Sequence, residues 1–244
     1  MIKFFRNIRQ TLIMENKTTN YLKYAIGEIV LVVIGILIAL QINTWKEQYA
    51  LRIEERSILE ELNANLNTNI GILESYVENQ KERQSEIRTI IHHLENKIAY
   101  SDSMGILLRN VRKGEYISLV SSAFESLKST GFDLIKSKKL RSDIINLFNY
   151  EYEQNLKTIS SITELNYQST HEIFVKYLSY DDSITEKLIP NDYNSLLENK
   201  EIYNLLTYRI AGKNGAISIG AFLLDKTKDL QQEISKELNL KTND

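Results

Sequence analysis

Cysteine is absent from the 244-residue sequence, which excludes disulfide bonds, thiolate metal sites and cysteine nucleophiles. Proline occurs once and glycine nine times, a scarcity that disfavours a turn-rich β fold and favours long helices. The composition therefore predicts an all-α protein that folds without covalent cross-links.

Histidine is also scarce, with three residues in the chain: His92, His93 and His171. Neighbouring helical positions point about 100° apart, so His92 and His93 cannot easily share a metal ion. No histidine has a glutamate three residues before it, as a di-iron bundle requires, and no phosphate-binding loop or nucleophile elbow is present. We expect no catalytic residue, metal or cofactor, and a protein that is not an enzyme. The functional alternative brings His171 against His92 or His93 across two helices.

The longest apolar run, YAIGEIVLVVIGILIALQINTW, occupies residues 24–45. As a helix that rises about 1.5 Å per residue, it is about 30 Å long and matches the hydrocarbon core of a bilayer. Its twelve Ile, Leu and Val residues each favour insertion by about 0.3–0.6 kcal/mol, which outweighs the cost of one carboxylate near the end of the run. The run predicts a single-pass transmembrane helix that acts as an uncleaved signal anchor.

Positive charge lies on the N-terminal side of this run, where residues 1–23 contain five Lys and Arg residues and one acid. The positive-inside rule predicts a cytoplasmic N-terminus and a periplasmic C-terminal domain, anchored in the inner membrane. The expected segments are a basic tail (1–23), the span (24–45), an exported bundle (46–240) and a frayed end (241–244). The tail is either disordered or a helix over residues 2–14 lying on the membrane surface. A cleaved signal peptide and a buried core helix are the competing interpretations of the run itself.

One face of the expected span carries Glu28, Gly35 and Ala39, which fall within about 20° of one line. Gly35 and Ala39 form a small-xxx-small seam that allows two helices to approach closely. We expect this face to pack against another membrane helix, with Glu28 on the same stripe. The alternative is that the small residues have no packing role and that Glu28 reaches the interface.

The basic tail followed by YAIGEIVLVVIGILIALQIN-x-W resembles an uncharacterised family of single-span envelope proteins from Gram-negative bacteria. The segment FESLKSTGFDLIKSKKLR, residues 124–141, is similar to the central helix–Gly–helix segment of that family. The family is a domain of unknown function. The resemblance therefore implies topology and compartment, and it supplies no activity and no site residues.

A heptad pattern follows the apolar run without a proline and with one glycine up to about Ala99. It predicts one long helix, with a stutter at its start and a polar pair of glutamines inside the seam. The seam packs either within the chain or in an intermolecular coiled coil. Its positions are Leu66, Ile70, Leu73, Val77, Gln80, Gln84, Ile87, Ile91, Leu94 and Ile98.

The remaining sequence predicts an antiparallel bundle completed by further helices. Expected N-caps are Ser101 or Asp102, and Ser137, and Gly131 is expected to end a short helix in the left-handed conformation. Residues 179–183 and 190–194 are expected to be loops with a weak helical turn between them. The last helix is expected over residues 198–238, with close packing at its glycines Gly212, Gly215 and Gly220.

Four cations stand together near the start of the third long helix: Lys136, Lys138, Lys139 and Arg141. They are either a solvated loop or a contact for an anionic partner such as a lipid headgroup or an acidic protein. The exported part is mildly acidic overall, which argues against nucleic acid as a partner.

These features favour a membrane-anchored helical-bundle module that acts through protein–protein interaction in the cell envelope. Its partner is either a second copy, which makes a homo-oligomer, or another envelope protein. The alternative is a periplasmic sensory domain that binds a small ligand and signals through a separate partner.

Overall fold

The computed structural model describes residues 18–181 and 184–240, and helices make up most of it. The chain forms two compact units, Met1–Glu55 and Arg56–Asp244. The expected surface helix over residues 2–14 and the expected frayed end over residues 241–244 lie outside the described residues. The helices are α1 (Thr18–Glu95), α2 (Asp102–Val111), α3 (Ser122–Thr130), α4 (Lys138–Asn146), α5 (Glu153–Tyr177), α6 (Tyr193–Leu197) and α7 (Lys200–Leu240).

In the first unit, α1 is long and apolar enough to cross a membrane. The large apolar side chains of residues 26–42 are about half to two-thirds exposed, and no described atom lies within 4 Å of the place where Gly27 or Gly35 would carry a Cβ. An apolar surface of this extent is costly in water and suits a hydrocarbon or protein environment.

In the second unit, the heptad seam of α1 packs within the chain. Leu66, Leu73 and Ile87 are fully buried, in agreement with the predicted pattern. The helix ends at Glu95, a few residues before the expected Ala99, and Ile98 lies beyond it and is exposed. Side chains of α1 contact those of α7 in antiparallel order: Asn63 with Gln231, Glu74 with Lys228, Gln80 with Lys213, and Glu95 with Tyr203.

Local caps explain several of the helix boundaries. The hydroxyl of Ser101 accepts a hydrogen bond from the amide of Met104, and Ser137 does the same for Leu140, as the sequence predicts. The short helix before Gly131 occupies Ser122–Thr130, whereas the sequence predicts it over Ser118–Ser129. Gly131 has a φ of 113° and a ψ of 133°, so its φ is positive as predicted but its backbone does not adopt the left-handed helical conformation.

The third long helical segment contains a π-helical stretch, Leu147–Tyr152, between α4 and α5. Its buried residues Leu140, Ile144, Phe148 and Tyr152 recur every four positions, whereas an α-helix has 3.6 residues per turn. The wider π turn keeps all of them on one face. Phe148 stacks on Phe124 of α3, with ring centroids 4.7 Å apart, and this contact joins the segment to the core.

The predicted loops around residues 179–194 are partly wrong, because Leu178–Asp181 (β1) and Ile184–Pro190 (β2) pair as an antiparallel hairpin. No helical turn lies between residues 184 and 190, and α6 follows the hairpin. The hydroxyl of Tyr100 donates a hydrogen bond to the carbonyl oxygen of Leu188, and Lys187 bridges Asp102 and Asp181. These contacts outside the hairpin stabilise a two-stranded pair that would be marginal alone.

Apolar side chains form two main core clusters. The first contains Ile58, Leu59, Leu62, Leu66, Leu73, Phe124, Leu127, Ile144, Phe148, Tyr152, Leu223, Leu230 and Ile234, among others. The second contains Ile87, Ile90, Leu94, Met104, Leu108, Phe174, Leu188, Ile202 and Leu206, among others. Between the two clusters, α1 buries Gln80 beside Tyr76 and Val77, and α7 buries Arg209 and Lys213.

Close packing at the α7 glycines is confirmed for two of the three. A Cβ on Gly220 would lie 2.9 Å from Cγ2 of Val77 and 3.0 Å from the ring of Tyr76, and one on Gly212 would lie 2.9 Å from the amide nitrogen of Asn166. Nothing lies within 4 Å of the corresponding position on Gly215. Helix α7 therefore approaches its neighbours most closely at Gly220 and Gly212.

We expect Gly220→Ala to destabilise the second unit by about 1–3 kcal/mol, because the β-branched Val77 cannot move away cheaply. The matched variant Gly215→Ala should stabilise it by about 0.5–1 kcal/mol through helix propensity alone. Urea unfolding of the full-length chain in detergent, followed by circular dichroism, measures both. Equal effects of the two variants would contradict the packing seen at Gly220.

Candidate functional site

The buried polar residues between the two core clusters form the candidate site. We call this set the polar layer and define it as Gln80, Arg83, Glu86, Asn110, Glu115, Arg209 and Lys213. Gln80, Arg209 and Lys213 are less than a tenth exposed. Charged groups at such depth are rare unless they are paired or functional.

The α7 residues of the layer occupy seam positions. The buried residues of α7 recur with alternating spacings of four and three, as in a heptad seam: Ile202, Leu206, Arg209, Lys213, Ala216, Gly220, Leu223, Thr227, Leu230 and Ile234. Arg209 and Lys213 thus face the interior of the bundle because they occupy positions of this heptad seam.

A chain of polar contacts runs through the layer from α7 towards α2. The ammonium group of Lys213 donates to Oε1 of Gln80 at 2.7 Å, and the amide of Gln80 donates to the Glu115 carboxylate. Arg83 lies 3.6 Å from Glu115 and donates to Glu86 at 2.8 Å. The amide of Asn110 donates to the other oxygen of Glu86, also at 2.8 Å. Both carboxylates of the layer are therefore already engaged.

Arg209 is the member of the layer with the poorest pairing. Its Nη2 donates to the carbonyl oxygen of Val111 at 2.7 Å, and its Nε has no hydrogen-bond partner among the described residues. Burial lowers the pKa of Arg209 to about 10, so the guanidinium keeps its charge at neutral pH. A buried charge without a counter-charge is costly, and Arg209 is the clearest such case in this unit.

Lys213 of the layer and the neighbouring Tyr76 also have shifted pKa values. Burial, and then the neighbouring charge of Arg209, lower the pKa of Lys213 to about 8, while Glu115 opposes the shift. Burial, and then Glu115, raise the pKa of Tyr76 to about 12, which keeps its hydroxyl neutral. Lys213 is consequently the layer group whose charge changes nearest to physiological pH.

A small cavity of about 20 Å³ adjoins this network. Its lining includes Arg209, Lys213, Lys113 and one carboxylate, that of Glu115. Apolar and amide side chains complete the wall, among them Ile159 and Asn166 of α5. The positive charge of the lining exceeds its negative charge, so the cavity favours an anion or a dipole that presents its oxygen.

The sequence-predicted site residues lie elsewhere. Gly35 and Ala39 are exposed on α1 in the first unit, and Glu28 is partly exposed there. Of the four clustered cations, Lys139 contacts Asp143 and Glu233, and Arg141 contacts Asp133. These hydrogen bonds to Glu233 and Asp143 raise the pKa of Lys139 to about 12. The role of the cluster as a contact for an anionic partner stays a prediction.

The three histidines do not form a described metal site. The ring of His171 stacks on Tyr167, and those of His92 and His93 lie edge to face with centroids 6.4 Å apart. Within residues 18–181 and 184–240, no three His, Asp or Glu side chains gather in a group that could hold a metal ion.

The sequence predicts the polar seam residues Gln80 and Gln84 of α1, whereas Arg209 and Lys213 were missed. The signal was present, because both fit the heptad spacing of α7, where an apolar residue is the rule. The polar pair that the sequence predicts inside the α1 seam consists of Gln80 and Gln84. Gln80 accepts a hydrogen bond from Lys213 of α7. Gln84 donates one to Asn214, also of α7, at 2.5 Å.

Comparisons of the chain with protein-family models, with curated proteins and with solved structures gave no match.

The lowered pKa of Lys213 predicts a pH-dependent stability. Below about pH 8, Lys213 is charged in both the folded and unfolded states, and burying that charge costs up to roughly 3 kcal/mol. As the pH rises from about 8 towards 10.5, the folded protein releases this proton first, so the cost disappears.

Relative to Lys213→Met, the wild-type protein should therefore gain about 2 kcal/mol of unfolding free energy between about pH 7 and pH 9.5. Urea unfolding of both full-length proteins in detergent measures this difference. The control Lys228→Met removes a partly exposed lysine of the same helix, paired with Glu74, and should track the wild type. A wild-type gain no larger than that of Lys213→Met would contradict the proposed titration.

Proposed function

We propose that the protein is a membrane-anchored helical-bundle module that acts through protein–protein interaction in the cell envelope. The observation that supports this proposal is the exposed apolar surface of α1 in the first unit, which spans residues 26–42. A surface of this length and composition matches a bilayer core, and the surplus of cations before it favours a cytoplasmic N-terminus.

Interaction within the membrane is the first part of this function. Gly35 offers an open position on the helix surface, and Ala39 continues the same stripe. Small residues let two backbones come close enough for extensive van der Waals contact, which is the main attraction between helices in lipid. The bundle in the second unit then presents its acidic outer surface to an envelope partner or to a second copy.

A sensory domain is the second candidate, and the polar layer favours it. A bundle built only for stability would fill these seam positions with apolar residues, since buried ion networks seldom add net stability. The charged cavity gives the interior a place where a very small ligand could change the stability of the α1–α7 pairing. Output would require a separate partner protein.

The membrane proposal predicts that full-length protein sediments with membranes and is released by detergent. It also predicts that crosslinking between membrane helices depends on the small-residue face of Gly35 and Ala39. Gly35→Leu should reduce the crosslinked product by roughly half or more, because the added side chain separates the backbones. The control Gly27→Leu changes a glycine of the same helix about 80° away from the seam and should leave the yield unchanged.

Two results would count against this function. Protein that stays in solution after ultracentrifugation without detergent would remove the anchor. Equal crosslinking of the wild type, Gly35→Leu and Gly27→Leu would leave the anchor in place but would exclude the face of Gly35 and Ala39 as the contact between helices.

A further inference from the structure

The charge of Arg209 has no described protein group to balance it. Its side chain is 4% exposed, it makes one hydrogen bond to a backbone carbonyl, and it forms no ion pair among the described residues. An ion pair or an ordered polar partner normally accompanies a charge at this depth.

The carboxylates of the polar layer cannot supply that partner. Glu115 accepts from Gln80 and lies beside Arg83, and Glu86 accepts from Arg83 and Asn110. Lys213 adds a second positive charge, and burial, followed by the proximity of Arg209, lowers the pKa of this lysine. Among the described residues, the site therefore has an excess of positive charge.

The cavity beside these groups limits the size of any counter-charge. A volume of about 20 Å³ exceeds the roughly 10–15 Å³ that one water molecule requires, yet it is far smaller than the several hundred Å³ of an organic-ligand site. Arg209, Lys213 and Lys113 line it against the single carboxylate of Glu115. Size and charge together select a compact anion.

We propose that this cavity binds one compact anion, chloride or an ion of similar size, beside the Arg209 guanidinium and the Lys213 ammonium group. The anion would neutralise the buried charge and fill the space at the junction of α1, α5 and α7. Such an anion is the ligand class that the sensory function, the second candidate, would use. Only the signalling consequence of binding rests on that proposed function. Binding itself involves no residue of the predicted membrane-spanning segment, residues 24–45, so it can fail while the anchor proposal holds, and the reverse.

Quadrupolar broadening of the chloride NMR signal tests this directly on the full-length protein in a non-ionic detergent. Sodium chloride is titrated at constant ionic strength against sodium gluconate, whose anion is too large for the cavity. We expect saturable broadening with the wild type. Arg209→Met should lose roughly half or more of this broadening, because the variant removes one of the two main charged contacts of the anion.

Arg109→Met is the matched control. Arg109 is also an arginine whose Nε has no hydrogen-bond partner among the described residues, but it does not line the cavity. It should keep the broadening of the wild type. Undiminished broadening in folded Arg209→Met, or an equal loss in Arg109→Met, would overturn the site and indicate adventitious surface binding.

Thermal unfolding of the wild type keeps the proposal testable if Arg209→Met fails to fold. Chloride should raise the melting temperature in a saturable manner that gluconate at the same ionic strength does not reproduce, because only the ion that fits binds the folded state. Identical melting curves in the two salts would mean that the cavity holds water only, and the proposal would be wrong.

Discussion

The pairing of α1 with α7 is the constraint on which the second unit depends. Both helices carry heptad seams, and the seams run antiparallel with apolar clusters on either side of one polar layer. The hydrogen bond from Lys213 to Gln80 ties the two seams at that layer. A slip of one heptad would set Lys213 against Leu73 or Ile87, both fully buried and apolar, and would leave its charge without a partner. Polar seam residues of this kind specify register at some cost in stability.

The third long segment adapts to that pairing through its π-helical stretch and its contacts with α7. The hydroxyl of Thr227 donates to the carbonyl oxygen of Leu223, so the hydroxyl of Tyr152 must supply the proton for the Tyr152–Thr227 hydrogen bond at 2.8 Å. This single directed bond joins α7 to the end of the π-helical stretch, inside the first core cluster. At Gly220, α7 also packs closely against Tyr76 and Val77 of α1. Helix α7 therefore packs against α1 through the small residue Gly220 and against the π-helical stretch through the polar residue Thr227. Apolar packing alone does not account for these two contacts.

Periodicity predicted the helices well because their seams are long, and the serine caps at Ser101 and Ser137 were predictable because they rest on local hydrogen bonds. The hairpin was missed because its strands are short and stand between polar loops, and because contacts with Tyr100 and Asp102 outside it supply its stability. Of the residues that form the polar layer, the sequence predicted only Gln80. A glutamine in a seam is recognisable as a polar layer, whereas a lysine or arginine at such a position is easily assigned to the solvent face, and only the tertiary structure shows that it is buried.

Register and ligand binding are two separate explanations for buried charge, and the residues of the layer divide between them. The contacts of Gln80 with Lys213 and of Gln84 with Asn214 already fix the alignment of α1 and α7. The described hydrogen bond of Arg209 goes instead to the backbone of Val111, at the end of α2, and not to α1. A leucine at this position would continue the seam and avoid the cost of burying a charge. The alignment of α1 and α7 therefore does not explain the cost of burying Arg209, and the proposed anion would supply the counter-charge that this guanidinium lacks among the described residues.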